Sequence, residues 1–180
     1  GDPTETALCI AADEAGYKKS KLIEKYPRIA EIPFDSDRKC MTTFHRAPSG
    51  EIVSYTKGAI EVLEENAKGL LIDNRILIDR QMIHRIHQRM AADGLRVLGI
   101  AMRKWASLPE KITPENAEKD LVILGMVGMI DPPRPEVKDA INLCRTAGII
   151  PVMITGDHPI TARAIAQQLG MLADDVGALI

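Results

Sequence analysis

Apolar and polar positions alternate in short runs over Arg28–Phe34, Lys39–Phe44 and Glu51–Lys57. Pro33 interrupts the first run, and Pro48-Ser49-Gly50 marks a turn before the third. A period of two is the pattern of a half-buried strand, so these runs predict an antiparallel hairpin arrangement. The rhythm then lengthens. Ala59–Lys68 predicts a helix closed by Gly69. Asp79–Asp93 predicts another, with Asp79 as candidate N-cap, Met82, Ile83, Ile86 and Met90 on one face, and Gly94 just past the end. Thr6–Ala12 predicts a helix near the start of the chain. Leu95–Met102 and Leu121–Ile130 are β-branched and Leu-rich and predict strands, separated by a polar loop that holds Pro109 and Pro114.

Asp131-Pro132-Pro133-Arg134-Pro135 follows. Proline fixes φ and removes a donor, so this segment predicts a stiff joint and a domain boundary, with one domain over 1–130 and another over 131–180. Beyond it, Glu136–Ala147 predicts a helix with Val137, Ala140, Ile141 and Cys144 on one stripe, ended by Gly148. The continuous apolar run Ile149–Thr155 predicts a parallel strand buried on both faces. Ile160–Leu169 predicts a helix ended by Gly170. This is the pattern of an α/β unit, which places ligands at the carboxyl ends of its strands.

Composition narrows the function classes. The 180 residues are 46% hydrophobic and 27% charged, ordinary values for a globular protein. With 23 Lys+Arg against 25 Asp+Glu there is no basic surplus for a nucleic-acid surface, and 3% aromatics leave no stacking platform for single strands. Cys9, Cys40 and Cys144 lie far apart and form neither a disulfide framework nor a CxxC metal pair, which favours a reducing compartment. Apolar runs fall short of the ~18–20 residues of a membrane helix. The chain does not begin with Met and ends in the apolar Val176–Ile180, so it is expected to be a piece of a longer protein.

Five segments carry candidate chemistry. In Met153-Ile154-Thr155-Gly156-Asp157, a strand end presents a hydroxyl, a bare backbone and a carboxylate ahead of a helix N-terminus. Thr155 can donate to a phosphoryl oxygen, Gly156 allows close approach, and Asp157 either faces Mg²⁺ or caps the helix. Gly1-Asp2-Pro3-Thr4-Glu5 reads as a helix start with Glu5 in the first turn. Phe34 stands beside the charged cluster Asp35–Lys39. It can stack on a purine with Lys39 supplying positive charge, or serve as a core residue before a solvated turn. Lys57-Gly58 ends a strand, where Lys57 is a point charge for phosphate if it faces a cleft. Arg96, within an apolar strand, needs either a carboxylate or a ligand phosphate. His84 and His87 share a helix face without a third metal ligand at suitable spacing, and Lys18–Lys21 and Glu110–Lys119 read as solvated surface.

Taken in order, GDPTE, FDSDRK, KGA, LRVLGIA, DPPR and MITGDHPITARAIA resemble the cytoplasmic region of P-type cation-transporting ATPases, from Asp2 to about Leu172. FDSDRKCMT and KGA resemble the calcium-pump-like second class, which contains the calcium, sodium/potassium and related pumps, and HPITA after TGD also resembles sodium/potassium-type pumps. The resemblance implies an α/β (α+β) fold. An antiparallel sheet with flanking helices would form the nucleotide-binding domain, without its N-terminal part, and a partial Rossmann-like unit of haloacid-dehalogenase type would follow. It implies MgATP as ligand, phosphoryl transfer to an aspartate and a cation driven across a membrane, with calcium favoured. By motif, Glu5 would contact the adenine amino group and Phe34 would stack on the ring. Lys39, Lys57 and Gly58 would line the adenine and phosphate region, and Arg96 would reach the phosphates. Asp131 to Arg134 would be the hinge, and Thr155, Gly156 and Asp157 would lie at the phosphorylation site, Asp157 near Mg²⁺. Ser36 stands where animal calcium pumps carry a basic residue.

The phosphorylated Asp-Lys-Thr-Gly-Thr motif is not in the sequence, so the chain is expected to bind nucleotide without turning it over. It is also expected to be monomeric, without a metal-ligand set of its own, and part of the cytoplasmic portion of a prokaryotic plasma-membrane protein. A soluble haloacid-dehalogenase-type phosphatase and a non-catalytic nucleotide-binding regulatory module are the competing readings.

Overall fold

A computed structural model describes residues 3–130, 133–156 and 159–172. The chain forms two compact units, one from Gly1–Arg80 and Leu98–Val127, the other from Gln81–Val97 and Gly128–Ile180. The first is a mixed α/β unit built on a seven-stranded, mostly antiparallel sheet with flanking helices. Its elements are α1 (Pro3–Glu14), α2 (Lys19–Lys25), β1 (Arg28–Asp35), β2 (Cys40–Arg46), β3 (Ile52–Gly58), α3 (Ile60–Glu65), β4 (Ala67–Ile72) and β5 (Arg75–Leu77). After α4 (Arg80–Ala92) come β6 (Arg96–Trp105), α5 (Pro114–Ala117) and β7 (Leu121–Met129), and the sheet order is β1-β2-β3-β6-β7-β4-β5.

The alternation read in the sequence becomes a two-sided sheet. β2 pairs antiparallel with β3, Thr42 facing Thr56 and Phe44 facing Ser54, and β3 pairs antiparallel with β6, Ile52 facing Trp105. Side chains two apart share a face, so Cys40, Thr42 and Phe44 lie with Thr56, Ser54 and Ile52 on one side. That side is buried, and Ile32, Phe44, Ile52 and Ala117 form a core cluster flanked by Ile29, Ala30, Trp105 and Ile112. The Phe44 and Trp105 rings lie 5.6 Å apart, and the indole Nε1 donates to Ser54 Oγ at 2.9 Å, so the tryptophan buries its ring without orphaning its donor.

The helix expected over Ala59–Lys68 is shorter than its pattern. It ends at Glu65, and β4 begins at Ala67. Gly69 does not close a helix but sits inside β4, where a Cβ would come within 2.6 Å of Ile76 Cγ2 on β5. The β4–β5 hairpin turns through Asp73 and Asn74, with φ of 46° and 61°, as a two-residue turn of the primed type requires. Neither strand was expected from the alternation of the sequence, and Asp73-Asn74 is the one local mark of their turn. β4 also runs parallel to β7, Leu70 beside Ile123.

The second unit holds α4, α6 (Pro135–Thr146) and α7 (Pro159–Gln168). Ile83, His87 and Ala91 are the buried stripe of α4, and Thr161 of α7 donates to the Leu95 carbonyl at 3.1 Å. Arg145 of α6 donates to the Met171 carbonyl at 2.9 Å. The strand expected over Ile149–Thr155 is not formed. That segment has no regular structure, with Ile150 85% and Ile154 93% exposed. A parallel strand buried on both faces exists only between ladder partners, and among the described residues no strand lies in the chain beyond β7. Among the described residues no helix is long and apolar enough to cross a membrane.

Candidate functional site

The candidate site starts from an irregularity in β1. Ile32 pairs with Thr42, but the next pair is Asp35 with Cys40, so Pro33 and Phe34 together oppose the single residue Met41. This bulge changes the face of everything beyond it. In regular pairing Phe34 would share the face of Ala30 and Ile32 and enter the core. With one extra residue, Phe34 takes the opposite face, that of Met41 and of its β3 partner Lys57. The exposures agree: Ile32 is 7% exposed and Phe34 62%. Proline suits the bulge, since it has no ladder hydrogen to lose.

The turn after the bulge is held by its own polar groups. Asp35 Oδ1 accepts the backbone N–H groups of Asp37 and Arg38 at 3.0 and 2.9 Å, and the Lys39 N–H donates to the Asp35 carbonyl at 2.7 Å. The Arg38 N–H, foremost, holds the Asp35 carboxyl below its ordinary pKa. Lys39 takes a left-handed φ of 53° and is exposed, and its carbonyl accepts the Ala59 N–H at 3.0 Å. Gly58 lies directly against this turn. A Cβ there would meet the Lys39 carbonyl oxygen at 2.4 Å and Cys40 Cβ at 2.5 Å, so glycine is what lets the end of β3 reach the start of β2.

Lys57, the residue before it, is partly buried, and its ammonium forms an ion pair with the Glu5 carboxylate of α1. Five of the expected site residues, Glu5, Phe34, Lys39, Lys57 and Gly58, thus come together at one end of β1, β2 and β3. Arg96, exposed at the first position of β6, Arg134, exposed just before α6, and Thr155 and Gly156, exposed before α7, belong to the second unit. Asp131 and Asp157 lie outside the described residues. Among the described residues no group of three His, Cys, Asp or Glu side chains is arranged to hold a metal ion. His84, on α4, meets Gln88 at 2.8 Å through its Nε2.

One part of the arrangement was not legible in the sequence. Glu118, in a stretch expected to be solvated surface, is only 8% exposed. Its carboxylate receives Arg38 Nη1 on both oxygens, 2.6 Å at Oε2, and Thr42 Oγ1 at 3.1 Å. Thr42 in turn meets Thr56 Oγ1 at 2.9 Å. The Glu118 carboxylate raises the pKa of Arg38.

Cys40 lies beside this pair, fully enclosed, with Arg38 Nη1 3.7 Å from its sulfur. Burial first, and the Glu118 carboxylate second, push the thiol pKa up to about 12. Cys40 therefore stays a neutral thiol at physiological pH and reacts with a disulfide reagent only after unfolding, whereas the half-buried Cys9 and Cys144 react in the native state. A timed thiol assay with peptide mapping checks this, and rapid native labelling of Cys40 would contradict it. The linkage is alkaline. The folded thiol keeps its proton above the ordinary pKa of 9.0, so its contribution is intact below that pH and is lost as pH rises toward about 12.

The P-type ATPase, cytoplasmic domain N, family matches residues 1–136. The chain belongs to the P-type ATPase family. The matched residues of this P-type ATPase N domain take in the whole sheet and the Glu5, Phe34, Lys39, Lys57 and Gly58 grouping. The chain is 43% identical over 178 residues to calcium-transporting ATPase 1 of Bacillus cereus, covering 97% of this chain and 20% of that protein. It is 41% identical over 179 residues to the cation-transporting ATPase pma1 of Synechocystis, covering 98% and 20%. It is 37% identical over 181 residues to the sodium/potassium exporting P-type ATPase cta3 of Schizosaccharomyces pombe, covering 96% and 17%. The chain thus spans about a fifth of the length of these P-type ATPase relatives.

Proposed function

We propose that this P-type ATPase N domain binds ATP for an ATP-driven cation pump, with the adenine on Phe34 and the phosphates directed toward the cations. The observation that supports this most is the bulge in β1, which puts an exposed aromatic ring on the same sheet face as a half-buried lysine. A folded protein gains nothing from an exposed phenylalanine by itself, whereas a purine ring covers its π-face. The Lys57–Glu5 pair fits a site that exchanges partners, because its Glu5 side is half exposed and open to solvent. Lys57 can thus exchange this carboxylate for a ligand phosphate, and the released Glu5 carboxylate can accept from the adenine amino group. Lys39 adds a second cation beside the ring, and Gly58 keeps both lysines close.

In the same reading Arg96 contacts the phosphates, Asp131 to Arg134 form the hinge between a domain over 1–130 and one over 131–180, and Thr155, Gly156 and Asp157 lie at the phosphorylation site, Thr155 holding the transferred phosphoryl group and Asp157 near Mg²⁺. Mg²⁺ enters with the ATP phosphates, which supply most of its oxygen ligands. The whole pump carries a cation, calcium being favoured by the class to which FDSDRKCMT and KGA are similar and by the name of the Bacillus relative. The domain then works on the cytoplasmic side of a prokaryotic plasma membrane, as a monomer in isolation and inactive in hydrolysis without an acceptor aspartate.

Calorimetric titration of the 180-residue chain with ATP tests the site. Phe34→Ala and Lys57→Ala are each expected to weaken binding about tenfold, as loss of a stacking or charge-assisted contact worth about 1.4 kcal/mol implies. Absence of heat at millimolar ATP, or binding indifferent to both substitutions, would overturn the proposal.

A further inference from the structure

We infer that Glu118 is a positioning residue for the nucleotide site, acting through Arg38 on the bulge that presents Phe34. The inference rests on the nucleotide reading above. Arg38 joins three parts of the site's frame. Through Nη1 it meets both Glu118 oxygens, through the same nitrogen it lies 3.7 Å from Cys40 Sγ, and through Nη2 it donates to the Pro33 carbonyl at 2.8 Å. Pro33 and Phe34 are the two residues of the bulge, and Arg38 precedes the left-handed Lys39. A guanidinium is a rigid fork, so fixing one arm on Glu118 aims the other at the bulge.

The position of Glu118 gives this contact its leverage. It lies 80 residues from Arg38, at the end of α5 and ahead of β7, the strand that neighbours β6 in the middle of the sheet. The carboxylate is therefore anchored on an element separate from the β1–β2 hairpin that it steadies. It also reaches β3, because Thr42 bridges from Glu118 to Thr56, the residue next to Lys57. One buried carboxylate thus touches the supports of both Phe34 and Lys57. A bulge competes with regular pairing, and regular pairing would return Phe34 to the face of Ile32. The Arg38 bond to the Pro33 carbonyl opposes that slip, and Glu118 holds Arg38 in place to make it. Fixing register is the best-attested use of a buried ion pair.

The test uses the 180-residue chain with ATP and AMP as probes, since AMP keeps the adenine and lacks the terminal phosphates. Glu118→Gln preserves shape and removes the charge. Arg38→Lys preserves the charge and removes the fork. Each is expected to weaken AMP and ATP alike, by about five- to tenfold, and to lose most of that effect once Phe34→Ala is present, because residues acting through one another are not additive. A purely structural role predicts equal losses in both backgrounds, and that result overturns the inference. So does unchanged AMP affinity in either folded variant. If Glu118→Gln fails to fold, by Trp105 fluorescence, Arg38→Lys carries the test. If neither folds, the pair serves the fold as a whole and the inference falls. Failure of the unsubstituted chain to bind ATP overturns the nucleotide reading as well. Binding by that chain with undiminished binding by the variants overturns this inference alone.

Discussion

Phe44→Ala is expected to destabilise the first unit by about 3–5 kcal/mol, the range for deleting a large aromatic side chain from a packed core. Phe44 has no exposed surface and sits among Ile32, Ile52 and Ala117 with the Trp105 ring beside it. Its strand lies between β1 and β3, so both neighbours are held by ladder bonds and cannot close over the void. The loss therefore combines the transfer energy of the ring with a cavity. Equilibrium unfolding in urea measures it directly, because Trp105 is the single tryptophan of the chain and lies 5.6 Å from the substituted ring. The midpoint falls while the slope is kept. Phe44→Leu, which fills most of the volume, loses much less. A loss below about 1 kcal/mol for the alanine variant would mean that the buried face of the sheet is not the stabilising core.

Gly58→Ala is expected to cost about 3 kcal/mol and to abolish nucleotide binding together with it. The added methyl would lie 2.4 Å from the Lys39 carbonyl oxygen and 2.5 Å from Cys40 Cβ. Neither contact can be relieved by a rotamer change, because an oxygen of the backbone and a Cβ move only when the strands do. Separation of β2 from β3 at this point breaks the Ala59 to Lys39 bond and carries Lys57 away from the turn. Gly125→Ala is the matched control, since a Cβ at that strand position meets nothing within 4 Å. It should change stability by no more than about 0.5 kcal/mol. Thermal melting and ATP titration of both variants distinguish a close-approach glycine from a generally fragile sheet. Equal behaviour of the two would sink the steric argument.

Several elements were readable from the chain because their cause is local. β1, β2 and β3 announce themselves by alternation, and α4 and α6 by their apolar stripes, since period and turn residues are properties of neighbouring positions. β4 and β5 were hidden by the run that continues α3, and only the Asp73-Asn74 turn marked them. The expected strand at Ile149–Thr155 failed for a different reason. A continuous apolar run states a need for burial, and whether a ladder partner meets that need is decided elsewhere in the protein. Whether Phe34 faces the core or the site is undecided by the sequence for a related reason, because parity along β1 depends on one unpaired residue that no composition reveals.

The sequence by itself determined the family, through the order and spacing of its short motifs, and most of the residues that the nucleotide proposal uses. Those motifs are contiguous, and each carries its residue types within a few positions. Only the tertiary structure decided which way Phe34 faces, that Glu5 and Lys57 meet, and that Glu118 is buried against Arg38. The first is set by strand register, and the other two are contacts between segments distant in the chain, set by packing between elements. A carboxylate 80 residues from its guanidinium looks like any solvated charge until the fold brings the end of α5 against the β1–β2 turn.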